Sequence, residues 1–387
     1  MSDQEQRAAL LEAVARLAPA IVDVVDEIER ARRLPLPLVE ALANAGLFRM
    51  MVPRAYGGLE ADPLTVFEIV EAVARLDGST GWIVMIGSGT PAFVAPYLSE
   101  AAAWEVFQRE PNAVLGGTTA SLGRARAVEG GYRVSGRWAF GSGSEHCAWL
   151  ASGCAIYDGE QPRLAADGQA ARCVVVTPSA DVTILDTWTV AGLRGAGSHD
   201  YAMEDIFVPA AFAPDPITDL RRQPGPLYAA HFMLVTNAAQ ALGVARHALD
   251  AFAAQAAGSP ERPAQLGDRP LAQLRLAQAE PLVGAARAYI LATTADAWAS
   301  ATCGAELTRA QRSAIRLAMT YAVQSAAQAI DLVRDTAGAS AIYVSSPIER
   351  CHRDIHVATQ HAVVATPSYE MLGRVLLGRD AGAEFVL

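Results

Sequence analysis

GYRVSGRWAFGSGSEHCAW, residues 131–149, alternates polar and apolar side chains and then breaks into glycine and serine. A period of two followed by small turn residues reads as a strand running into a turn. The same texture extends on both sides. AVLGGTTAS (113–121), AWLASGCAIY (148–157), ARCVVVTP (171–178) and VTILDTW (182–188) read as further short strands, with EGGY (129–132) as a turn. Strands spaced this closely predict a barrel or sandwich, and the β-domain is placed at 112–215.

Outside that region the period changes to helix. RAALLEAVARLAPAIVDVVDEIERARR (7–33) carries apolar residues at three- and four-residue spacing. DPLTVFEIVEAVARLD (62–77) begins with an aspartate cap and a first-turn proline. An all-helical domain is therefore expected over 1–111. Long alanine-rich helical patterns return at 232–256, 271–299 and 308–338, and RDIHVATQHAVVATPSYE (353–370) reads as a fourth. Four long helices predict a C-terminal bundle over 216–387. The fold class is α+β, in the order helical domain, β-domain, four-helix bundle. The broad alanine faces fit burial against another subunit, and equally fit a codon bias toward alanine.

Composition removes several functions. All 31 basic residues are arginine, so no lysine is present to form a Schiff base or complete a P-loop. A net charge of −10 disfavours nucleic acid and acidic membranes as partners. The five cysteines show no CxxC spacing, which argues against a disulfide framework or zinc ribbon. The N-terminus lacks a signal-peptide pattern, and the most apolar window, 81–98, is broken by Pro91 and Pro96; a cytoplasmic protein is expected. GLRGAGS (192–198) leads into the strand YAMEDIFVP, not a helix, so it is no dinucleotide fingerprint.

Four pieces in this order resemble the acyl-CoA dehydrogenase superfamily: GLFRMMVPRAYGGLEADP (46–63), GYRVSGRWAFGSGSEHCAW, TWTVAGLRGAGSHDYAMEDIFVP (187–209) and RDIHVATQH (353–361). The resemblance covers nearly the whole chain. It implies a flavoprotein with the flavin between β-domain and bundle, and tetrameric assembly. It also shows two departures. The dehydrogenase base is a glutamate after a tyrosine, eight to nine residues past an Arg-Asp pair; after Arg353-Asp354 this chain has His361-Ala362. The loop Thr-Glu-Pro-x-x-Gly-Ser-Asp is replaced by GGTTASLGRARAV (116–128).

Those departures resemble a sibling branch, the two-component flavin monooxygenases. That resemblance implies a reduced flavin, FMNH2 or FADH2, delivered by a separate reductase, with a small and aromatic organic substrate. It implies His361 as the catalytic imidazole, a hydrogen-bond donor that also takes a substrate proton near pH 7. It implies Ser142, in the W-x-F-x-S-G segment ending at Gly143, as a contact to the flavin. Trp138 and Phe140 are two residues apart on a strand, hence on one face; they either wall the flavin or fill the core. Thr118, Thr119 and Ser121 are candidates for the flavin's polar edge, and Arg269 for its phosphate from a neighbouring subunit. Arg194 serves the phosphate or holds its loop. Trp82 shapes the substrate site or packs the core. The alternatives are an FAD-dependent acyl-CoA dehydrogenase or oxidase with Glu370 as a displaced base, and a non-enzymatic binding protein.

A metal site is not expected. On one continuous helix His352 and His356 share a face while His361 points away, toward the side of Asp354 and Val357. The His352–His356 pair shows no third ligand in the sequence.

Overall fold

The computed structural model describes residues 2–165, 168–215, 221–258 and 266–379. The N-terminal helices are α1 (Asp3–Asp23), α2 (Val25–Ala31), α3 (Leu36–Asn44), α4 (Pro63–Ala74), α5 (Gly78–Val94) and the single turn α6 (Glu100–Ala103). Asp62 caps α4 as its sequence suggests, accepting the amides of Leu64 and Thr65, each at 3.0 Å, with Pro63 in the first turn where no amide is needed. Asp77 does the same for α5 through Thr80 at 2.7 Å. α5 is buried along almost its whole length, because it runs between the sheet and the C-terminal helices.

Seven strands follow: β1 (Leu115–Val128), β2 (Gly131–Gly141), β3 (Trp149–Asp158), β4 (Gln161–Pro162), β5 (Arg172–Pro178), β6 (Thr183–Leu185) and β7 (His199–Pro209). The barrel or sandwich expectation meets one hydrogen-bonded mixed sheet in the order β4-β3-β1-β2-β7-β6, with β5 also paired to β3. β1 and β2 form the hairpin expected at EGGY, turning through Glu129-Gly130 with Gly130 at φ +80°. β1 and β3 are parallel; the other pairs are antiparallel.

The sheet slips register at three places. β1 slips against β3 between Thr118 and Gly123, and β2 slips against β7 between Val134 and Gly136 and again between Trp138 and Gly141. Phe140 sits in the last of these at φ +63°. A bulge resets the side-chain phase, so Trp138 and Phe140 do not share a face. Trp138 is fully buried, stacks on Tyr201 with ring centroids 5.4 Å apart, and donates its Nε1–H to the Gly153 carbonyl at 2.7 Å. It therefore fills the sheet core and does not wall a cofactor. Phe140 is 69% exposed, edge-on to Trp188.

The C-terminal helices are α7 (Ala230–Leu234), α8 (Thr236–Ala257), α9 (Pro270–Thr302), α10 (Arg309–Ala337), α11 (Pro347–Ala358) and α12 (Pro367–Leu376). α8, α9 and α10 pack along one another, and α11 lies against α8 and α10. The stretch 353–370 is not one helix. α11 stops at Ala358, residues 359–366 form a turn-rich loop, and Pro367 opens α12. Thr359 turns its hydroxyl back onto the His356 carbonyl at 2.8 Å, and proline restarts a helix at a first turn, where its missing amide costs nothing. Among the described residues no helix is long and apolar enough to cross a membrane.

Candidate active site

Four elements bring one polar cluster together. Trp82 projects from α5, Ser142 from the turn after β2, Ser198 from the residue before β7, and His361 from the loop after α11. Trp82 donates its Nε1–H to Ser142 Oγ at 3.0 Å, and Ser142 Oγ lies 2.7 Å from Ser198 Oγ. The His361 ring stands edge-on to Trp82 with centroids 5.7 Å apart. Trp82, Ser142 and Ser198 are all buried. Gly143, at φ +66°, bends the chain after Ser142 and donates its amide to the Ala196 carbonyl at 2.9 Å. A side chain there would strain that backbone and approach Ile83.

Because the helix ends before it, His361 is a loop residue, and its orientation follows from the loop. Its amide donates to the Ala358 carbonyl, and its Nδ1 accepts the Val363 amide at 3.4 Å. A neutral imidazole that accepts at Nδ1 carries its proton at Nε2. Burial, reinforced by the positive charge of Arg316, pushes the ring's pKa down to about 4. His361 is thus neutral near pH 7 and presents an Nε2–H. This form suits the donor half of the expected role, a hydrogen bond given from Nε2.

Arg353 and Asp354 join α11 to the segment at 191–193. Arg353 pairs with Glu349 at 2.7 Å and Glu29 at 2.6 Å and donates to the Ala191 carbonyl. Asp354 is buried and accepts the Leu193 amide at 2.5 Å. The pair therefore ties α11 to the 192–198 loop that carries Ser198. Gly192 is required at this join, since a Cβ would sit 2.1 Å from the Arg353 carbonyl oxygen. Arg194 binds the Glu29 and Val190 carbonyls and so holds its loop.

Burial, then the nearby Asp77 carboxylate, raises the Asp354 pKa to about 8. The folded carboxyl keeps its proton to about pH 8, whereas an unfolded one loses it near pH 4. Between those limits the native state binds more protons, so stability falls as pH rises. Asp354→Asn keeps the acceptor for Leu193 but cannot ionise. Thermal melts from pH 4 to 9 are expected to show a shallower alkaline decline for the variant than for the wild type.

The remaining expectations divide. Thr118 donates its hydroxyl to the Ala139 carbonyl at 2.9 Å and lies beside the Phe140 bulge. Ser121 is exposed in the irregular part of β1. Arg269 is the exposed N-cap of α9 and joins no group of this cluster. Glu370 is exposed in the first turn of α12, so it does not fill the place of a base in a shielded site. His352 and His356 do share a face of α11, and the missing third group is Asp331 on α10. Asp331 Oδ1 lies 2.8 Å from His356 Nε2 and 3.4 Å from His352 Nε2, beside a cavity of about 570 Å³. Asp331 was not legible because it comes from another helix. Ser198 was not named either, although it closes the GLRGAGS segment (192–198) on which the resemblance partly rests.

This cluster suits a flavin. The site combines a buried serine pair with a neutral imidazole edge-on to Trp82, and the exposed Phe140 lies two residues before Ser142 in the chain. Family models match at both ends: acyl-CoA dehydrogenase, N-terminal domain, over residues 3–105, and acyl-CoA dehydrogenase, C-terminal domain, over residues 235–366. An indole-3-acetate monooxygenase of Pseudomonas putida is 31% identical, aligned over 92% of this chain and 90% of its own. The chain belongs to the acyl-CoA dehydrogenase superfamily, in its branch of flavin-dependent monooxygenases. The oxygenase subunit HsaA of Rhodococcus jostii is 30% identical over 89% of this chain and 92% of its own. XiaF from Streptomyces sp., solved with FADH2 and glycerol, superposes with a TM-score of 0.88 at 29% identity, covering 98% of each chain. This monooxygenase-branch chain is accordingly a flavin-dependent oxidoreductase of the two-component type.

Proposed function

We propose that the chain is an oxygenase component that hydroxylates a small aromatic substrate, using reduced flavin supplied by a separate reductase and dioxygen. The observation that carries this is the neutral His361 imidazole, held beside Trp82 and the Ser142–Ser198 pair, while Glu370, the candidate displaced base, is exposed. Phe140, Ser142, Gly143, Thr118 and Ser121 would hold the flavin, either FMN or FAD. Reduced flavin supplies two electrons to dioxygen, which activates one oxygen atom for transfer.

The protein's part is to donate, to orient and to exclude water. His361 offers its Nε2–H to a developing negative charge on oxygen, and being neutral it gains nothing from protonation at working pH. Ser142 accepts the Trp82 Nε1–H, which fixes the indole that packs against the imidazole. Ser198 bonds Ser142, so the two hydroxyls hold each other's rotamer.

Ser142→Ala removes the acceptor for a buried indole N–H. It is expected to lower stability by about 1–3 kcal/mol and to lower the yield of product per oxygen consumed. Denaturant titration and the ratio of product to oxygen uptake check both.

Assembly as a tetramer belongs to the same reading. Ile342, Tyr343 and Val344 are 68%, 64% and 75% exposed, and Leu376 and Leu377 are 71% and 75% exposed. Apolar side chains this open in one chain suit burial by a partner copy. The test of the activity is mass spectrometry of products formed under ¹⁸O₂ with chemically reduced flavin. A labelled hydroxyl is expected. Oxidised flavin and hydrogen peroxide alone, across a panel of phenols and indoles, would refute the assignment.

A further inference from the structure

His352 and His356 stand one turn apart on α11, with ring centroids 4.6 Å apart and planes at 63°. Both rings turn Nε2 toward one atom, Oδ1 of Asp331 on α10, at 3.4 Å and 2.8 Å. The ligand atoms of the three residues all lie within 4.8 Å of one another. Among the described residues no other three side chains of histidine, cysteine, aspartate or glutamate bring ligand atoms this close. The ion pairs that Asp331 makes among the described residues are with these two imidazoles alone.

This convergence exceeds what a hydrogen bond needs, since one imidazole is enough to bond a carboxylate oxygen. Two imidazoles and a carboxylate meeting from two helices are the donor set of a borderline divalent cation. A tetrahedral Zn²⁺ with ligands at about 2.0–2.2 Å spaces those ligands roughly 3.3–3.5 Å apart. The two nitrogen-to-oxygen distances fall close to that spacing. Two nitrogen donors also select against Mg²⁺ and Ca²⁺, which take oxygen ligands. The cavity of about 570 Å³ that Asp331 and His356 line has room for the waters that complete the shell, and Gln328 and Gln360 line it too.

We propose that His352, His356 and Asp331 bind a divalent transition-metal cation of the Zn²⁺ class, which clamps α11 to α10. The clamp falls at the last turn of α11, two residues before the helix ends and the loop carrying His361 begins. The trio shares no residue with the His361 cluster, and the inference does not depend on the hydroxylase reading.

The test is equilibrium binding to the full chain, carrying no histidine tag and freed of metal by a chelator. Zn²⁺ and Mg²⁺ are titrated calorimetrically, and Co²⁺ is followed by visible absorption. Wild type is expected to bind one Zn²⁺ per chain, to show visible Co²⁺ bands and to ignore Mg²⁺. Losing a second-shell partner costs a metal site roughly 10–100-fold in affinity. Losing a ligand, in His352→Ala, His356→Ala or Asp331→Ala, is therefore expected to cost about 100-fold or more. Cys303→Ser, which removes an exposed thiol, should leave binding unchanged. Saturating Zn²⁺ should raise the thermal midpoint of wild type and not that of His356→Ala, because a cation held by the native state alone stabilises it. Absence of Co²⁺ bands and of Zn²⁺ binding in wild type would overturn the proposal without recourse to any variant. Zn²⁺ binding that persists unchanged in the three ligand variants would overturn it as well, since the ion would then sit elsewhere.

Discussion

His361→Ala is expected to lower product formation by about 10²–10³-fold, while oxygen consumption continues and appears as hydrogen peroxide. The two effects separate because the role proposed for the imidazole is to donate to oxygen, and the ring is no part of the scaffold's core. It is a loop residue between α11 and α12 that touches Trp82 edge-on, so its removal leaves α11, α12 and the sheet intact. His361→Gln supplies an amide N–H but cannot titrate, and is expected to recover part of the coupling. Oxygen uptake, peroxide and product are measured on the same samples. Equal loss of all three would point to a folding defect.

Trp138→Ala is expected to cost about 3–5 kcal/mol of stability. The side chain is wholly enclosed, stacked on Tyr201 and hydrogen-bonded to Gly153. Its ring also occupies the space that glycine leaves at 123, where a Cβ would lie 2.1 Å from Trp138 Cζ2. Phe140→Ala is the contrast: the ring is largely exposed, so stability changes little while affinity for reduced flavin falls. Denaturant midpoints and flavin titrations of the two variants test the reassignment of these aromatics. Weak flavin binding with full stability in Trp138→Ala would reverse it.

The order of elements was legible because period and punctuation agree locally. Asp62-Pro63 announces α4, EGGY the β1–β2 hairpin, and the long alanine-rich patterns α8 to α10. His361, Ser142 and Trp82 were each named from the chain, and the fold brings them into one cluster. Three features were not legible, each for a physical reason. A bulge at Phe140 flips the strand phase, and its positive φ falls on a residue type that gives no warning of it. The break after Ala358 depends on a threonine back-bond and a proline nine residues on, so a helical wheel drawn through it misplaced His361. Asp331 matters through neighbours on another helix, and a single sequence does not show which side chains meet.

Rapid mixing of the reduced-flavin complex with oxygenated buffer, followed by absorbance from pH 5.5 to 8, puts the neutral imidazole donor to the test. Wild type should show a transient spectrum distinct from reduced and oxidised flavin, with a lifetime that His361 does not make pH-dependent in that range, because its pKa lies near 4. His361→Ala should lose the transient. A transient equally long-lived in the variant, or one whose lifetime follows a His361 titration near pH 7, would contradict the account.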